Sequence, residues 1–153
     1  MLSYANYAKD AFLILPMQNY ADNFTEKETN QKFYFVDNGI IGLLTTDCLS
    51  AQLENLVAVT LLRKYGIDHN VFFYNYNVEV DFVVPESKLA MQVCYTLGDE
   101  QSDTYKRETT ALLKLAKRFP YDDLKIITYS EEGEIAAGDK TIQVMPVWKW
   151  MLM

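Results

Sequence analysis

Residues 71–95, VFFYNYNVEVDFVVPESKLAMQVCY, contain three short runs of strand-forming residues, and these runs decide the fold class. They cover 71–76, 78–84 and 89–95, and they are separated by Asn77 and by the segment PESK at 85–88. Valine, phenylalanine and tyrosine are enriched in strands, whereas asparagine, proline and serine are enriched in turns. The pattern therefore predicts an antiparallel meander of three strands.

Helical patterns flank this meander on both sides. Before it, apolar residues at helical spacing predict a helix over 50–65, with Ser50 as its N-cap and Gly66 at its end. After it, a second helical pattern runs over 102–119 and begins at Ser102. The meander is therefore expected to lie between two helices.

The segments after the second helix are shorter. They predict a strand at 124–129, a stretch at 131–138 that is largely turn, a strand at 141–145 and an aromatic C-terminal turn from Pro146. The order helix, three strands, helix, strand predicts an α/β domain with a mixed sheet flanked by helices.

The N-terminal residues predict a separate small unit. A helical stub at 4–10 precedes a strand at 11–17, and a second strand at 32–36 ends in the turn Asp37-Asn38-Gly39. The two strands are expected to pair as a hairpin. The polar segment 21–32, ADNFTEKETNQK, lies between them.

Length and composition exclude several classes of protein. The 153 residues fit one domain of ordinary size, and 50% apolar with 14% aromatic residues rules out a disordered or fibrous chain. The net charge of −7 disfavours nucleic-acid binding over the whole surface. Two cysteines and one histidine, His69, cannot assemble the ligand set of a zinc site.

The N-terminal sequence shows neither a signal peptide nor an apolar span of membrane length, because Lys9 and Asp10 interrupt its apolar run. We therefore expect a soluble protein of the reducing cytoplasm, without contact to a membrane.

Four short motifs along the chain carry a family resemblance. They are KFYFVDNG at 32–39, LENLVA at 53–58, EVDFVV at 79–84 and MPVWKW at 145–150. In their order and spacing the chain resembles the uncharacterised C-terminal domain of prokaryotic AAA-type ATPases, which has the restriction-endonuclease-like fold of PD-(D/E)xK nucleases. The resemblance extends over nearly the whole chain from about Tyr4.

The resemblance implies a division of the chain into two parts. Residues 1–40 are expected to be an N-terminal segment, the remnant of a linker to an ATPase module that is absent from this chain. Residues 41–153 are expected to form the nuclease-like domain. The ATPase module, on the same or a neighbouring polypeptide, is then the first expected partner.

The same resemblance points to site residues. In such nucleases carboxylates on a helix and on neighbouring strands hold Mg²⁺, and a lysine helps to activate the attacking water. Glu54 matches the helix acid and Asp81 the strand acid, so these two are the candidate metal ligands. The third strand, which carries Glu-x-Lys in members that look active, has Gln92 and Cys94 instead.

These two departures remove a carboxylate and a cation from the expected site. Gln92 is a poor magnesium ligand, and Cys94 offers no positive charge to a phosphate. We therefore expect a vestigial nuclease-like site, formed by Glu54, Asp81, Gln92 and Cys94, that functions without Mg²⁺. Simpler interpretations remain open, with Asp81 on a solvated sheet face and Cys94 as a small core residue.

Three functional hypotheses follow from these residues. The first is a non-catalytic, nuclease-like accessory domain of an ATPase that serves recognition or assembly. The second is an active metal-dependent nuclease whose missing charges come from elsewhere, for instance from Glu79 or Lys88. The third is a stand-alone interaction module, which forms an oligomer or binds a partner through Trp148 and Trp150.

The second predicted helix is locally basic within an acidic protein. Against Glu108 alone, it carries five cations between residues 105 and 119: Lys106, Arg107, Lys114, Lys117 and Arg118. The local net charge is 5 − 1 = +4. This pattern is typical of a solvated helix face, and it also fits a docking surface for a nucleic acid or an acidic partner.

Overall fold

The structure, a computed structural model, describes residues 2–20, 30–44, 46, 48–66 and 70–153. The predictions that concern His69 and most of the polar segment 21–32 fall outside these residues.

The described residues form five α-helices and eight strands. The helices are α1 (Leu2–Asp10), α2 (Asn38–Leu44), α3 (Leu49–Tyr65), α4 (Asp103–Arg118) and α5 (Val147–Met151). The strands are β1 (Ile14–Asn19), β2 (Gln31–Phe35), β3 (Phe72–Asn75), β4 (Glu79–Val84), β5 (Leu89–Val93), β6 (Asp123–Thr128), β7 (Gly133–Ala137) and β8 (Lys140–Pro146). None of these helices combines the length and the apolar character needed to cross a bilayer.

All eight strands belong to one mixed sheet with the order β2-β1-β3-β4-β5-β6-β8-β7. The pairs β1/β3, β5/β6 and β6/β8 are parallel, and the other neighbours are antiparallel. The predicted meander is confirmed, because β3, β4 and β5 are consecutive antiparallel neighbours. The predicted α/β class with a mixed sheet and flanking helices is confirmed as well.

Helices cover both faces of the sheet. Successive strand residues point to opposite faces, so one apolar sheet supplies two cores. On one face, Val57 and Leu61 of α3 pack with Met91 of β5, and α5 joins the same cluster. On the other face, Leu112 and Leu115 of α4 pack against β4, β5 and β6. The outcome is a three-layer arrangement with the sheet in the middle.

The N-terminal hairpin is confirmed and is continuous with the rest of the sheet. Strands β1 and β2 are antiparallel, with Leu15 opposite Tyr34. Strand β1 also pairs in parallel with β3, where Gln18 lies opposite Phe72. The parallel pairing brings β2, the outermost strand on this side, towards the meander.

Two segments predicted as turns are regular structure instead. Residues 131–138 contain β7, which pairs with β8 as a hairpin and places Ile135 opposite Ile142. The prediction was wrong because glycine and glutamate weaken the local strand pattern, whereas the pairing with β8 is long-range. The C-terminal segment forms the short helix α5 after Pro146, with Val147 buried in the core.

Helix boundaries near α3 also differ from the prediction. The turn at 37–39 begins helix α2, where the Asp37 carboxylate Oδ1 accepts the N–H of Gly39 at 2.6 Å. Helix α3 starts one residue before Ser50, and its N-cap is Cys48 rather than Ser50. The cap of α4 is confirmed, because Ser102 Oγ accepts the N–H of Tyr105 at 3.1 Å.

Candidate functional site

A cavity of about 990 Å³ opens between the N-terminal halves of α3 and α4, at the point where β4 and β5 come together. Acidic side chains line it on the α3 side, and Lys106, Arg107 and the acid Glu108 line it from α4. A cavity of this size is typical of sites that bind small molecules or parts of larger ligands. It contains all four residues of the predicted vestigial site.

The centre of the acidic side is the ammonium group of Lys32. Its Nζ lies 2.8 Å from Glu79 Oε1, 3.7 Å from Glu54 Oε1 and 3.9 Å from Asp81 Oδ1. The side chains of Lys32 and Asp81 are only 29% and 16% exposed. One cation therefore partners three carboxylates in a half-buried site, which we call the lysine–carboxylate cluster (Lys32, Glu54, Glu79 and Asp81).

Strand β2 positions the cation. Lys32 and Tyr34 are two residues apart, so they share one face of the strand. Tyr34 donates its hydroxyl hydrogen to Glu54 Oε1 at 2.9 Å, while Lys32 lies over the ring of Phe73 at 5.4 Å. Helix α3 holds the strand, because Asn55 Oδ1 accepts the Phe35 N–H at 2.7 Å and Asn55 Nδ2 donates to the Phe35 carbonyl at 2.9 Å.

Side chains replace part of the hydrogen-bond ladder between β4 and β5. Gln92 Oε1 accepts the N–H of Asp81 at 2.8 Å, and Gln92 Nε2 donates to the carbonyl of Glu79 at 3.0 Å. In return, Asp81 Oδ2 accepts the N–H of Val93 at 2.8 Å. Both polar atoms of the buried Gln92 amide therefore bind main chain, and Gln92 has a structural role at this position.

The backbone of β4 is irregular at the same place. Phe72 of β3 lies opposite Val83, whereas Tyr74 lies opposite Val80, so β4 contains one extra residue between the two pairs. Such a bulge changes the direction of the side chains beside it. It coincides with Asp81, whose carboxylate reaches both Lys32 and the main chain of β5.

Cys94 packs as a core residue beneath α4. It is 8% exposed and belongs to the cluster that contains Leu112. Burial, together with the carboxylates of Glu108 and Glu131, raises the pKa of the thiol to about 12. Since the thiolate is the reactive form, Cys94 is not a nucleophile at neutral pH.

Burial also controls the charge of Asp81. Desolvation and the neighbouring Glu54 carboxylate raise the pKa of Asp81 to about 7, against the N–H of Val93 and the charge of Lys32. Burial by itself lowers the pKa of Lys32. The hydrogen bond to Glu79 and the charges of Glu54 and Asp81 outweigh burial, so the pKa of Lys32 lies above its usual value. Lys32 therefore stays charged near neutral pH, whereas Asp81 titrates there.

We predict a pH-dependent effect of Asp81→Asn on stability. A carboxyl group whose folded pKa is about 7, against about 3.9 when unfolded, stabilises the fold fully below pH 4 and loses this contribution as pH rises through 7. The difference in free energy of unfolding between variant and wild type, measured in urea, should therefore be about 1–3 kcal/mol more favourable to the variant at pH 8 than at pH 5. A difference that is the same at both pH values would contradict this.

Asp139→Asn is the matched control for that experiment. Asp139 is exposed in the turn between β7 and β8, so its replacement should leave the pH dependence of stability as in wild type.

The five predicted cations of α4 form one exposed face. At about 100° per residue, they fall within an arc of about 120°, and they extend over about 18 Å of helix. Arg107 binds Glu108 at 2.5 Å, and Arg118 donates to the Tyr74 hydroxyl at 3.0 Å. We call this surface, formed by Lys106, Arg107, Lys114, Lys117 and Arg118, the α4 basic face.

The residues named by the alternative functional hypotheses lie in different parts of the structure. Glu79 belongs to the lysine–carboxylate cluster through its contact with Lys32. Lys88 instead lies 3.6 Å from Asp122 and contributes nothing to the cavity. Of the two tryptophans, Trp148 is 60% exposed, whereas Trp150 packs against the core on the α3 side.

Two residues of the site were not predicted from the sequence, Lys32 and Tyr34. They fell within the motif at 32–39, which pointed to a family but not to a role. A lysine and a tyrosine two residues apart, and so on one face of a strand, were only a weak indication of a site. Their contact with Glu54 and Asp81 depends on the order of the strands, which no local pattern shows.

Magnesium does not fit these residues as they stand. It requires oxygen ligands at about 2.1 Å in octahedral geometry. The Lys32 ammonium instead lies within 4 Å of all three carboxylates, where it repels a second cation. Within the described part of the chain, no group of three or more histidine, cysteine or acidic side chains has the geometry to hold a metal ion.

Comparisons with protein-family models, with curated proteins and with solved structures gave no match to this chain.

Proposed function

We propose that this chain is a non-catalytic domain with a restriction-endonuclease-like fold, which binds nucleic acid as an accessory domain of an AAA-type ATPase. The order of its elements supports the fold. Helix α3, the meander β3–β5, helix α4 and the parallel strand β6 follow one another as the family resemblance implies. The helix acid Glu54 and the strand acid Asp81 also line one cavity, as a vestigial nuclease site would require.

The single observation that carries the non-catalytic part of the proposal is the position of Lys32. A metal-dependent nuclease needs carboxylates that are free to bind a metal. Here each carboxylate of the cluster lies within 4 Å of one lysine ammonium, and the amide of Gln92 is bound to main chain. The positive charge in the cluster thus comes from Lys32 of the protein itself and not from a bound metal ion.

The α4 basic face supports nucleic-acid binding. Its cations are exposed, they lie on one side of a helix, and two of them, Lys106 and Arg107, border the cavity. Lysine and arginine bind nucleic acid chiefly through phosphates, with a strong dependence on salt. The negative charge of the remaining surface confines phosphate contacts to this face.

A combined cleavage and binding assay tests this function. With Mg²⁺ or Mn²⁺, purified protein should leave single- and double-stranded DNA and RNA intact while it retards an oligonucleotide in a gel. Lys114→Glu with Lys117→Glu should weaken binding at least about tenfold and reduce its salt dependence. Arg63→Glu with Lys64→Glu, the same two charge reversals at the exposed end of α3, is the matched control. Absence of retardation would refute the proposal.

A second candidate, an active nuclease with relocated residues, is favoured by one observation. Glu79 and Lys32 stand beside Asp81 and could replace the missing carboxylate and lysine of the third strand. This candidate requires metal-dependent cleavage that Asp81→Ala abolishes. Cleavage of that kind would replace the non-catalytic proposal.

The ATPase part of the proposal concerns the N-terminal surface. Tyr4 and Tyr7 on α1 and the adjacent Phe12 are 79%, 69% and 76% exposed. Large exposed apolar groups that lie close together are typical of surfaces covered by a partner. A Walker A motif in the same or the neighbouring reading frame, on a protein that co-purifies with this chain, would support the assignment.

A further inference from the structure

A row of aromatic side chains lies at the carboxyl ends of the parallel strands β5, β6 and β8. Tyr95 follows β5, Tyr129 follows β6, and Trp148 lies in α5 directly after β8. The parallel register pairs Val93 with Ile127 and Thr128 with Pro146, so the three aromatic residues reach the same edge of the sheet. This edge adjoins the cavity, because Tyr95 lines it.

The first two aromatic rings are stacked. The ring centroids of Tyr95 and Tyr129 lie 4.7 Å apart, with 16° between the ring planes. Tyr129 is 54% exposed and Trp148 is 60% exposed. The stack therefore connects the cavity with open surface, and its outer part is accessible to another planar group.

Charge is unevenly distributed around the cavity. The carboxylates of the lysine–carboxylate cluster lie on one side, and Lys106 and Arg107 of α4 lie on another, where the buried Glu108 pairs with Arg107 and leaves Lys106 as the unbalanced cation. Phosphate groups are repelled by the first and attracted by the second. Nucleobases are uncharged and carry amino or ring N–H groups that donate hydrogen bonds to carboxylates, so a base fits the acidic side where a phosphate does not.

On the basis of the proposed function, we infer that the nucleic-acid partner is single-stranded, with phosphates along the α4 basic face and bases stacked on Tyr95 and Tyr129. Aromatic side chains beside a basic groove are the usual means of binding single strands, because every base offers a face for stacking. In a duplex the bases stack on one another, and their faces are not available to tyrosine.

Fluorescence anisotropy with one labelled DNA oligonucleotide, single-stranded or annealed to its complement, tests this inference. The single strand should bind at least about fivefold more tightly than the duplex, and Tyr129→Ala should weaken single-strand binding by a similar factor. Binding of the duplex should not change. Tyr129→Leu, which keeps apolar volume but not the stacking face, should behave like Tyr129→Ala. Tyr4→Ala removes an exposed tyrosine on α1, outside the aromatic row, and is the control.

The possible results separate this inference from the proposed function. Equal affinity for single strand and duplex, unaffected by Tyr129→Ala but weakened by charge reversal on α4, would overturn the single-strand assignment and leave the proposed function in place. No binding of either oligonucleotide would overturn both. Binding of poly-glutamate without binding of oligonucleotides would also overturn both, because the basic face would then serve an acidic protein.

Discussion

Lys32→Met is expected to lower the free energy of unfolding by about 2–4 kcal/mol at pH 8, because removal of one partner leaves half-buried carboxylates without a counter-charge. The loss should be smaller at pH 5, where Asp81, with a pKa of about 7, is protonated. Urea unfolding at the two pH values measures both effects. Lys32→Arg keeps the charge and is the control for the volume of the side chain.

The same variant should acquire a response to metal that wild type lacks. Without the ammonium, the charge of Glu54, Glu79 and Asp81 is uncompensated and attracts a divalent cation, which the three side chains can hold once they rotate into ligating positions; a ligand that binds only the folded state stabilises it. Mn²⁺ should therefore raise the thermal midpoint of Lys32→Met and leave that of wild type unchanged. Equal stability of Lys32→Met and wild type, or an equal response of both to Mn²⁺, would show that Lys32 is not the cation of this site.

Gln92→Glu, which replaces the amide by a carboxyl group of the same length, is expected to destabilise the fold by about 3 kcal/mol or more at pH 8. The amide Nε2 of Gln92 donates to the carbonyl of Glu79, and a carboxylate oxygen at that position would repel it. It would also place a buried charge beside Asp81. At pH 5 a protonated glutamate can donate the hydrogen bond, so the loss should decrease.

Two further variants make this result specific. Gln143→Glu introduces the same change at an exposed position of β8 and should have little effect. Gln92→Met keeps the length but leaves the main-chain groups of Glu79 and Asp81 without partners, so it should be destabilised at both pH values alike. If Gln92→Glu unfolds like wild type at pH 8, the amide does not hold β4 and β5 together.

Local sequence patterns correctly predicted the helices and strands whose stabilising contacts are between residues close in sequence. Ser102 and the apolar stripe of α4 lie within one helix, and the three runs of the meander are separated by short turns. Strand β7 was missed because its pairing with β8, and not its own composition, makes it a strand. Helix α5 was missed for a related reason, since Val147 anchors a single helical turn through burial.

The candidate site was predicted in part for the same reason. Glu54 and Asp81 were found because the family resemblance singled them out, and they line one cavity. Lys32 was not found, because its contacts cross from β2 to β4 and require β1 and β3 to lie between them. The role of Gln92 was also missed, since the comparison with a nuclease motif considered only its missing charge and gave no indication of the hydrogen bonds that its amide makes with Glu79 and Asp81.

The contact of Asn55 with β2 has a consequence for how this protein behaves in concentrated solution. Val36 donates to Leu13 beside it, so the main-chain groups of Phe35 point away from β1, towards the open side of the sheet. Unpaired groups in that position invite a strand of another molecule and promote aggregation. Asn55, only 3% exposed, occupies both groups of Phe35 and so protects this end of the sheet from intermolecular pairing.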